Sequence, residues 1–516
     1  MKTRLILLTL VLAILGLLLA ACGGGGGGGA DPASVAPAGS PLYVEAAVHP
    51  EGELKTNVEA LAEKIAGVED LGELIVSELQ KSSTGSGGEL DFAKEVEPWL
   101  GEHGGLFFER YDGNAFTGYG LAVQTSDAGA TEEFIEKQLS ENDEVPQEGS
   151  FEGVDFKVDP EDGTTVGIVN DLLVVAEDEA TFKHAVEAAN GDSLADDESF
   201  TTAMDAASDE SLADLYFDVG AVIEQTGGEI DTETAQLLES AGIDPEEATA
   251  VASLVPGSDQ IEIDFTTDVG NSEPGDASKL LESLPGGSFA AFSTADFGKQ
   301  LAEGIDALDE QGIPGQLGPG ELKAGLEALG VNLDKIAASL KEVGVFVQGN
   351  TEKNLNGAIV LTASGSEAKE LVAQIGKLLR LNGTPGVTAL SGKASGFSIR
   401  SPQLGSQPVV VATEGERIAI SYGLAASASA LSAGGGSSLA ENPAFKEAKE
   451  ALGGTPISGF LDGPAAVTLL ENMVSGPEAE ELEAARPYLD KVAFAAVGAG
   501  FSDNLTTSKI IVGLTE

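Results

Sequence analysis

The chain contains almost no cysteine: of its 516 residues, only Cys22 carries a thiol. One cysteine cannot form an intramolecular disulfide, and it leaves no thiolate cluster for a metal site. The fold must therefore be stabilised by burial of apolar side chains. A hydrophobic fraction of 42% is enough for sizeable cores.

Basic residues are also scarce, because 27 Lys and Arg stand against 85 Asp and Glu, and the formal net charge is −58. A surface this negative repels phosphate backbones and acidic polymers, so we expect no nucleic-acid partner. It attracts cations, either as dispersed counterions or as specifically bound Ca²⁺. The simplest role of the charge is to keep the protein soluble.

Aromatic residues make up 5% of the chain, and the single tryptophan, Trp99, argues against an aromatic platform for carbohydrate. The three histidines, His49, His103 and His184, have no HExxH or HxH neighbour. The turn at 159–163 could hold Ca²⁺ weakly, but it lacks the spaced ligands of an EF-hand. No GxSxG elbow or GxxxxGKS/T loop occurs. We therefore assign no catalytic residue, metal ligand or cofactor from the sequence.

The first thirty residues have the organisation of an export signal. Lys2 and Arg4 precede an apolar run over 5–19, which ends in the sequence LAAC at Cys22. A transmembrane helix is the alternative interpretation, since about 20 apolar residues can span a bilayer. The seven glycines at 23–29 argue against that helix.

The LAAC motif resembles the lipobox of bacterial lipoproteins. The resemblance implies cleavage between Ala21 and Cys22 and acylation of Cys22, because two or three acyl chains hold a protein where one binds only marginally. Loss of the signal peptide, 1–21, removes two basic residues and moves the net charge from −58 to −60. We expect the mature protein on the outer face of the cytoplasmic membrane, held there by its N-terminal acyl chains. We interpret 22–40 as the acylated cysteine and a flexible tether.

The folded part, from 41 onward, shows the same order of predicted elements twice. Hairpin strands and helices that do not follow a βαβ pattern favour antiparallel sheets with helices packed on one face. Late segments match at a separation of 244 or 245 positions: 416–420 with 171–175, 442–445 with 197–200, and 459–462 with 215–218. Earlier segments match at a smaller separation: 343–347 with 104–108, and 357–362 with 120–125. The prediction is an α+β fold of two duplicated copies, 41–270 and 285–516.

The sequence Glu-Pro-Trp-Leu-Gly at 97–101 is the most distinctive local feature. We expect Pro98 to end the preceding helix, Trp99 to bury a large ring, and Gly101 to permit a positive φ at the turn. These three residues are interpreted as a structural anchor. A ligand-contacting Trp99 is the alternative, but the second copy has Ala-Ser-Leu at 338–340 and must fold without the ring.

The lipobox, the Pro-Leu-Tyr-Val-Glu start at 41–45, and Asp-Phe at 91–92 followed by 98–101 together resemble the uncharacterised bacterial proteins of domain-of-unknown-function family 3352. The resemblance covers most of the mature chain and rests on short structural motifs. The family implies no established activity, so it assigns no functional residue to this sequence.

Three functions fit these observations. The favoured one is non-enzymatic binding of a ligand or protein partner in the cleft between the two copies, since ligands often bind at domain interfaces. The second is carriage of an apolar molecule or lipid in a cavity between a curved sheet and its helices. The third is hydrolysis of envelope material by a pair of carboxylates.

Overall fold

The protein is α+β, and its strands pair antiparallel. The computed structural model describes residues 29–67, 92–140, 145–208, 210–227, 248–267, 275–312, 318–363, 366–381, 383–401, 403, 407–432, 437–502 and 505–515. The chain divides into two units. Unit 1 is Met1–Ser272 with Phe501–Ser508, and unit 2 is Glu273–Gly500 with Lys509–Glu516.

Unit 1 is built on ten strands in its described residues. They are β1 Leu42–Ala47, β2 Leu100–Tyr111, β3 Phe116–Thr125, β4 Gln147–Phe151, β5 Val154–Val158, β6 Thr165–Val169, β7 Leu172–Ala176, β8 Ala213–Asp218, β9 Thr249–Pro256 and β10 Gln260–Thr267. Their order across the sheet is β4-β5-β6-β7-β3-β2-β1-β8-β9-β10. The turn between β6 and β7 is Asn170 and Asp171, with φ angles of 47° and 63°, the left-handed values that a type I′ hairpin needs.

The helices of unit 1 cover both faces of its sheet. They are α1 Gly52–Ala66, α2 Phe92–Glu95, α3 Ala128–Ser140, α4 Glu179–Asn190, α5 Glu198–Asp205 and α6 Val219–Gln225, with 3-10 turns at Pro32–Val35 and Leu194–Asp196. Phe134 of α3 packs in one core with Leu121, whereas Phe182 of α4 packs in another core with Ala122. The prediction that helices pack on one face is wrong, because successive residues of β3 are apolar and both faces need cover.

Unit 2 repeats this strand order. Its strands are β11 Ser288–Thr294, β12 Leu340–Gln348, β13 Asn356–Ala363, β14 Val387–Ala389, β15 Ser395–Ile399, β16 Val409–Glu414, β17 Arg417–Tyr422, β18 Ile457–Asp462, β19 Val492–Ser502 and β20 Leu505–Leu514. The order is β14-β15-β16-β17-β13-β12-β11-β18-β19-β20. Each strand therefore has the position of the unit 1 strand numbered ten lower.

Helices again lie on both faces in unit 2. They are α7 Ser278–Glu282, α8 Phe297–Gln311, α9 Glu321–Ala328, α10 Leu333–Ser339, α11 Glu367–Leu381, α12 Leu424–Leu431, α13 Pro443–Ala451, α14 Gly463–Met473 and α15 Pro477–Leu489, with a 3-10 turn at Leu439–Glu441. Leu371 of α11 shares a core with Leu361, and Phe445 of α13 shares the opposite core with Val360.

Local hydrogen bonds recur at equivalent places in the two units. The Asp218 side chain accepts a hydrogen bond from the Ala221 N–H at 2.8 Å, and Asp462 accepts one from the Ala465 N–H at 2.9 Å. Each carboxylate caps the helix that follows β8 or β18. The helices α5 and α13 are capped in the same way by Asp197 and Asn442.

The segment before β1 is folded, so the predicted tether is wrong for residues 30–40. The Asp31 carboxylate accepts a hydrogen bond from the Ala33 N–H at 2.8 Å and caps the turn Pro32–Val35. Val35 and Ala36 are 0% exposed, and the Ala36 carbonyl accepts a hydrogen bond from the Leu194 N–H. A local cap and backbone bonds order this segment although its apolar content is low.

We predict that Val35→Asp destabilises unit 1 by about 3 kcal/mol or more, because it places an unpaired carboxylate in the core. Ser34→Asp adds the same charge at a position that keeps access to solvent, and it should change stability by less than about 0.5 kcal/mol. Urea unfolding of the mature chain measures both variants. Equal effects of the two variants would show that this segment is not part of the core.

Candidate functional site

One face of the unit 2 sheet carries a groove of about 300 Å³ across β12, β11, β18 and β19, called the apolar groove. Six residues define it: Ala290, Phe292, Val345, Gly459, Leu461 and Val497. The strand register places them on one side, since Phe292 stands opposite Val345 and Gly459, and Gly459 stands opposite Val497. The intervening Ala291 belongs to the core on the other face, as the two-residue repeat of a strand requires.

The lining of the apolar groove contains no polar side chain. Phe292 is 48% exposed, and Val345 and Val497 are each 36% exposed. A Cβ atom at Gly459 would lie 3.3 Å from the Val497 Cβ, so a side chain there would extend into the groove. Contiguous apolar surface of this kind marks a place where a ligand or another surface binds.

Unit 1 fills the equivalent place with its own side chains. Val44 and Leu106 stand opposite each other in β1 and β2, as Phe292 and Val345 do in β11 and β12. Leu106 is only 3% exposed and lies in a core with Trp99 and two residues of α1. In unit 2, α8 instead packs near the Leu340 end of β12, and within the described residues Val345 keeps 36% of its surface exposed.

The sequence did not single out the groove residues. The available signal was the run Ser-Phe-Ala-Ala-Phe at 288–292, where apolar residues occupy successive positions and therefore both faces of a strand. That signal predicts burial on both faces of the strand. The exposure of Phe292 in the described structure shows that one of these faces is not buried.

Cys22 and Ala21, the predicted acylation and cleavage residues, lie outside the described residues. Within the described ranges, no helix has both the length and the hydropathy needed to span a bilayer. The N-terminal anchor therefore stays a prediction from the sequence.

The predicted anchor residues lie at the start of β2. Trp99 is 2% exposed, its Nε1 donates to the Glu95 carbonyl at 2.7 Å, and its ring lies 5.2 Å from that of Phe134. Pro98 is exposed in the turn. Gly101 is in strand conformation without a positive φ, which corrects the expectation. Its glycine is explained by close packing, because a Cβ there would lie 2.5 Å from the Gln124 Cβ.

A cluster of acidic and histidine side chains lies on neighbouring strands of unit 1. The Nδ1 atom of His103 is 3.4 Å from the Glu45 carboxylate. Asp214 stands opposite Glu45 and accepts hydrogen bonds at 2.5 Å from the hydroxyls of Ser211 and Ser253. The strand order brings these residues together from distant parts of the sequence, which is why the sequence did not predict the cluster.

Burial and charge shift the titration of several groups in unit 1. Burial raises the pKa of Asp214, although the hydrogen bonds from the two serine hydroxyls act to lower it. Burial also raises the pKa of Asp31, although the hydrogen bond from the Ala33 N–H acts to lower it. The hydrogen bond with Glu45 raises the pKa of His103 against the effect of burial. Burial also raises the pKa of Glu109, which His184 opposes. All four groups therefore hold their protons to higher pH than usual.

No carboxylate lines the apolar groove, so the groove does not support the carboxylate-dependent hydrolase considered from the sequence. In the described part of the chain, no three or more His, Asp, Glu or Cys residues are grouped to hold a metal ion. What the groove offers chemically is dispersion contact and exclusion of water.

A family model described as "Protein of unknown function (DUF3352)" matches residues 7–514. The chain belongs to the DUF3352 family. No curated protein matches this DUF3352 protein. A solved structure titled "Structure of crystal form III of TP0453" matches it at 12% identity with a TM-score of 0.26, covering 48% of this chain and 82% of that one.

We predict that unit 1 loses stability as the pH rises. Asp31, Asp214, Glu109 and His103 have raised pKa values in the folded chain, so unfolding releases protons from each group at a pH between its ordinary pKa and its raised pKa. Their contribution is complete at low pH and is lost as the pH rises through each raised pKa, above 3.8 for the aspartates and above 6.5 for His103.

Asp214→Asn isolates one of these groups, because asparagine can accept from one serine hydroxyl and donate to the other but does not ionise. Thermal unfolding from mildly acidic to mildly alkaline pH should show a flatter decline for this variant than for the wild type. Asp155→Asn, at an exposed position of β5, controls for the loss of one charge. An unchanged slope in Asp214→Asn would contradict the assignment.

Proposed function

We propose that this DUF3352 protein is a lipid-anchored, extracytoplasmic protein that binds an apolar molecule in the apolar groove of unit 2. The exposed Phe292 ring, beside Val345 and Val497 in a lining without polar groups, carries the proposal. Burial of such surface stabilises a complex by about 25 cal/mol per Å² of apolar area. The cleft expected between the two copies stays a prediction.

The chemistry of the groove favours a hydrocarbon chain or ring. A volume of about 300 Å³ lies at the lower end of small-molecule sites, so the groove holds one chain or a compact ring system. A polar head has no hydrogen-bonding partner in the lining and stays in solvent. The net charge of −58 disfavours an anionic head, so a neutral lipid is the ligand that fits best.

The repeated strand order supports an internal duplication, with a different role for each unit. Unit 1 covers its sheet face with α1 and Trp99 and follows the N-terminal segment. Unit 2 leaves the same face open. On this proposal, unit 1 is the attached copy and unit 2 is the ligand-binding copy. The seven glycines at 23–29 separate Cys22 from Ala30, so the eight steps from Cys22 to Ala30 reach about 28 Å when fully extended.

We predict that Phe292→Ser weakens binding of a neutral apolar probe by roughly 10-fold to 100-fold, because it removes about 1.5–3 kcal/mol of apolar contact. Gly459→Leu, which fills the groove, should abolish binding. The measurement is fluorescence titration of the full mature chain with N-phenyl-1-naphthylamine, followed by displacement with a monoacylglycerol.

Leu381→Ser is the matched control, since Leu381 is 71% exposed in unit 2 and does not line the groove. It should bind the probe like the wild type. Equal probe affinity in the wild type and Gly459→Leu would refute the groove as the site. The fatty acid with the same chain should displace the probe less well than the neutral ester, and added salt should reduce that difference.

Membrane attachment is tested separately at the lipobox. Cys22→Ser removes the acyl acceptor. This variant should therefore keep its signal peptide, lack the mass of the acyl chains, and not form the cleaved, membrane-anchored product. Intact-mass spectrometry and detergent phase partitioning measure this. Cys22→Ser with Gly29→Cys keeps one thiol at a displaced position and should behave like the single variant. A mass and partitioning identical to the wild type would exclude Cys22 as the anchor.

A further inference from the structure

The two units differ sharply at one equivalent place. In unit 1, the Nδ1 atom of His184 on α4 lies 3.0 Å from the Glu109 carboxylate on β2. The side chain of Glu109 is buried, and the pair fills the space between the helix and the strand. His184 follows the N-cap of its helix, Asp178, by six positions, and Glu109 follows the core residue Phe107 by two.

In unit 2, the same counting leads to Ser429 and Gln348. Ser429 follows the N-cap Gly423 of α12 by six positions, and Gln348 follows the core residue Phe346 by two. Both residues line a cavity of about 220 Å³. A short serine and an uncharged amide thus leave open the space that a charged pair fills in unit 1.

The walls of this cavity, called the serine cavity, offer hydrogen bonds. Besides Gln348 and Ser429, they include Ser283, Ser432, Ser437 and Ser438. The hydroxyls of Ser283 and Ser432 donate to the carbonyls of Leu280 and Ser429, so the donors that face a ligand come from the other side chains. Within the part of the chain that the structure describes, no carboxylate lines the cavity. Hydroxyl and amide groups without an acidic partner are poor ligands for Ca²⁺, which prefers carboxylates. The lining also has no aromatic ring on which a sugar could stack.

A guanidinium group lies directly behind this wall. Arg417 Nη2 donates to the Ser283 hydroxyl, and Nη1 donates to the Ala430 carbonyl at 3.2 Å. Among the described residues, Arg417 has no salt-bridge partner. Burial lowers the pKa of Arg417 and the charge of Glu342 opposes this shift, and the guanidinium group stays protonated.

Unit 1 has apolar residues at both of these positions. Arg417 begins β17 as Leu172 begins β7. Ser283 is equivalent to Val35, because each precedes a residue with the same backbone hydrogen bond. The Leu284 carbonyl accepts the Leu439 N–H, and the Ala36 carbonyl accepts the Leu194 N–H. Leu172 and Val35 are both 0% exposed. The Glu342 carboxylate attracts Arg417, although the two form no salt bridge in the described part of the chain. A half-buried arginine without a salt bridge costs free energy that the apolar arrangement avoids, so a function explains it better than stability does.

We propose that the serine cavity of unit 2 binds a phosphate group, with its hydroxyl and amide donors on the oxygens and Arg417 supplying positive charge behind Ser283. The site is independent of the apolar groove, because Gln348 and Val345 are three positions apart in β12 and point to opposite faces of the strand. Free phosphate and the phosphodiester of a lipid headgroup share this chemistry.

The test is isothermal titration calorimetry of the full mature chain with inorganic phosphate, at constant ionic strength so that general salt effects cancel. The wild type should bind one phosphate. Arg417→Leu, which introduces the unit 1 residue, should weaken binding by about tenfold or more, and Arg417→Lys should retain part of the affinity. The double variant Gln348→Glu with Ser429→His reproduces the unit 1 pair, fills the cavity and should abolish binding.

The reciprocal variant Glu109→Gln with His184→Ser opens the equivalent space in unit 1, and it should gain no second phosphate because Leu172 stands in place of the arginine. Circular dichroism of each variant separates loss of binding from loss of folding. Failure of the wild type to bind, or wild-type affinity in both Arg417→Leu and the filled double variant, overturns the proposal. Displacement of phosphate by short-chain phosphatidylglycerol assigns the site to a headgroup, and failure to displace it assigns the site to free phosphate.

Discussion

Each unit depends on a sheet that is apolar on both faces. Such a sheet cannot expose either face to water without cost, so helices must cover both. In unit 1, α1 and Trp99 cover the face that carries Leu106. In unit 2, α8 packs near the Leu340 end of β12, and the face that carries Phe292 and Val345 stays open. The apolar groove is therefore a consequence of where one helix packs on a strand order that both units share.

The sequence predicted features that local chemistry decides, such as the burial of Trp99 and the antiparallel α+β class. It failed where strand register decides. The match of 357–362 to 120–125 aligns Gly357 with Gly120. In the structure, however, Gly120 stands opposite Phe107, and the residue opposite the equivalent Phe346 is Ala358, one position later. A shift of one residue exchanges the two faces of a strand. Sequence matching therefore predicted the recurring order of elements but could not tell which side chains face the groove.

For the N-terminal segment, 30–40, amino-acid composition gave the wrong prediction, because its few apolar residues indicated a flexible tether. Val35 is nevertheless fully buried, held by a capped turn and by the bond between Ala36 and Leu194. The cluster of Glu45, His103 and Asp214 was also out of reach, because only the order β2-β1-β8 brings these residues together. Neither feature has a periodic signal in the sequence, since each depends on contacts between segments far apart in the chain.

The shared strand order makes unit 1 an internal reference for unit 2. Unit 1 fills both compared places with its own side chains, Leu106 beside Trp99 in one and His184 with Glu109 in the other. Unit 2 leaves both places open in the part of the chain that the structure describes, with an exposed Phe292 ring at one and a half-buried Arg417 that forms no salt bridge at the other. Each of these choices costs folding free energy that unit 1 shows to be avoidable. Because both costs fall in the same unit, selection for binding explains them more simply than two unrelated packing defects.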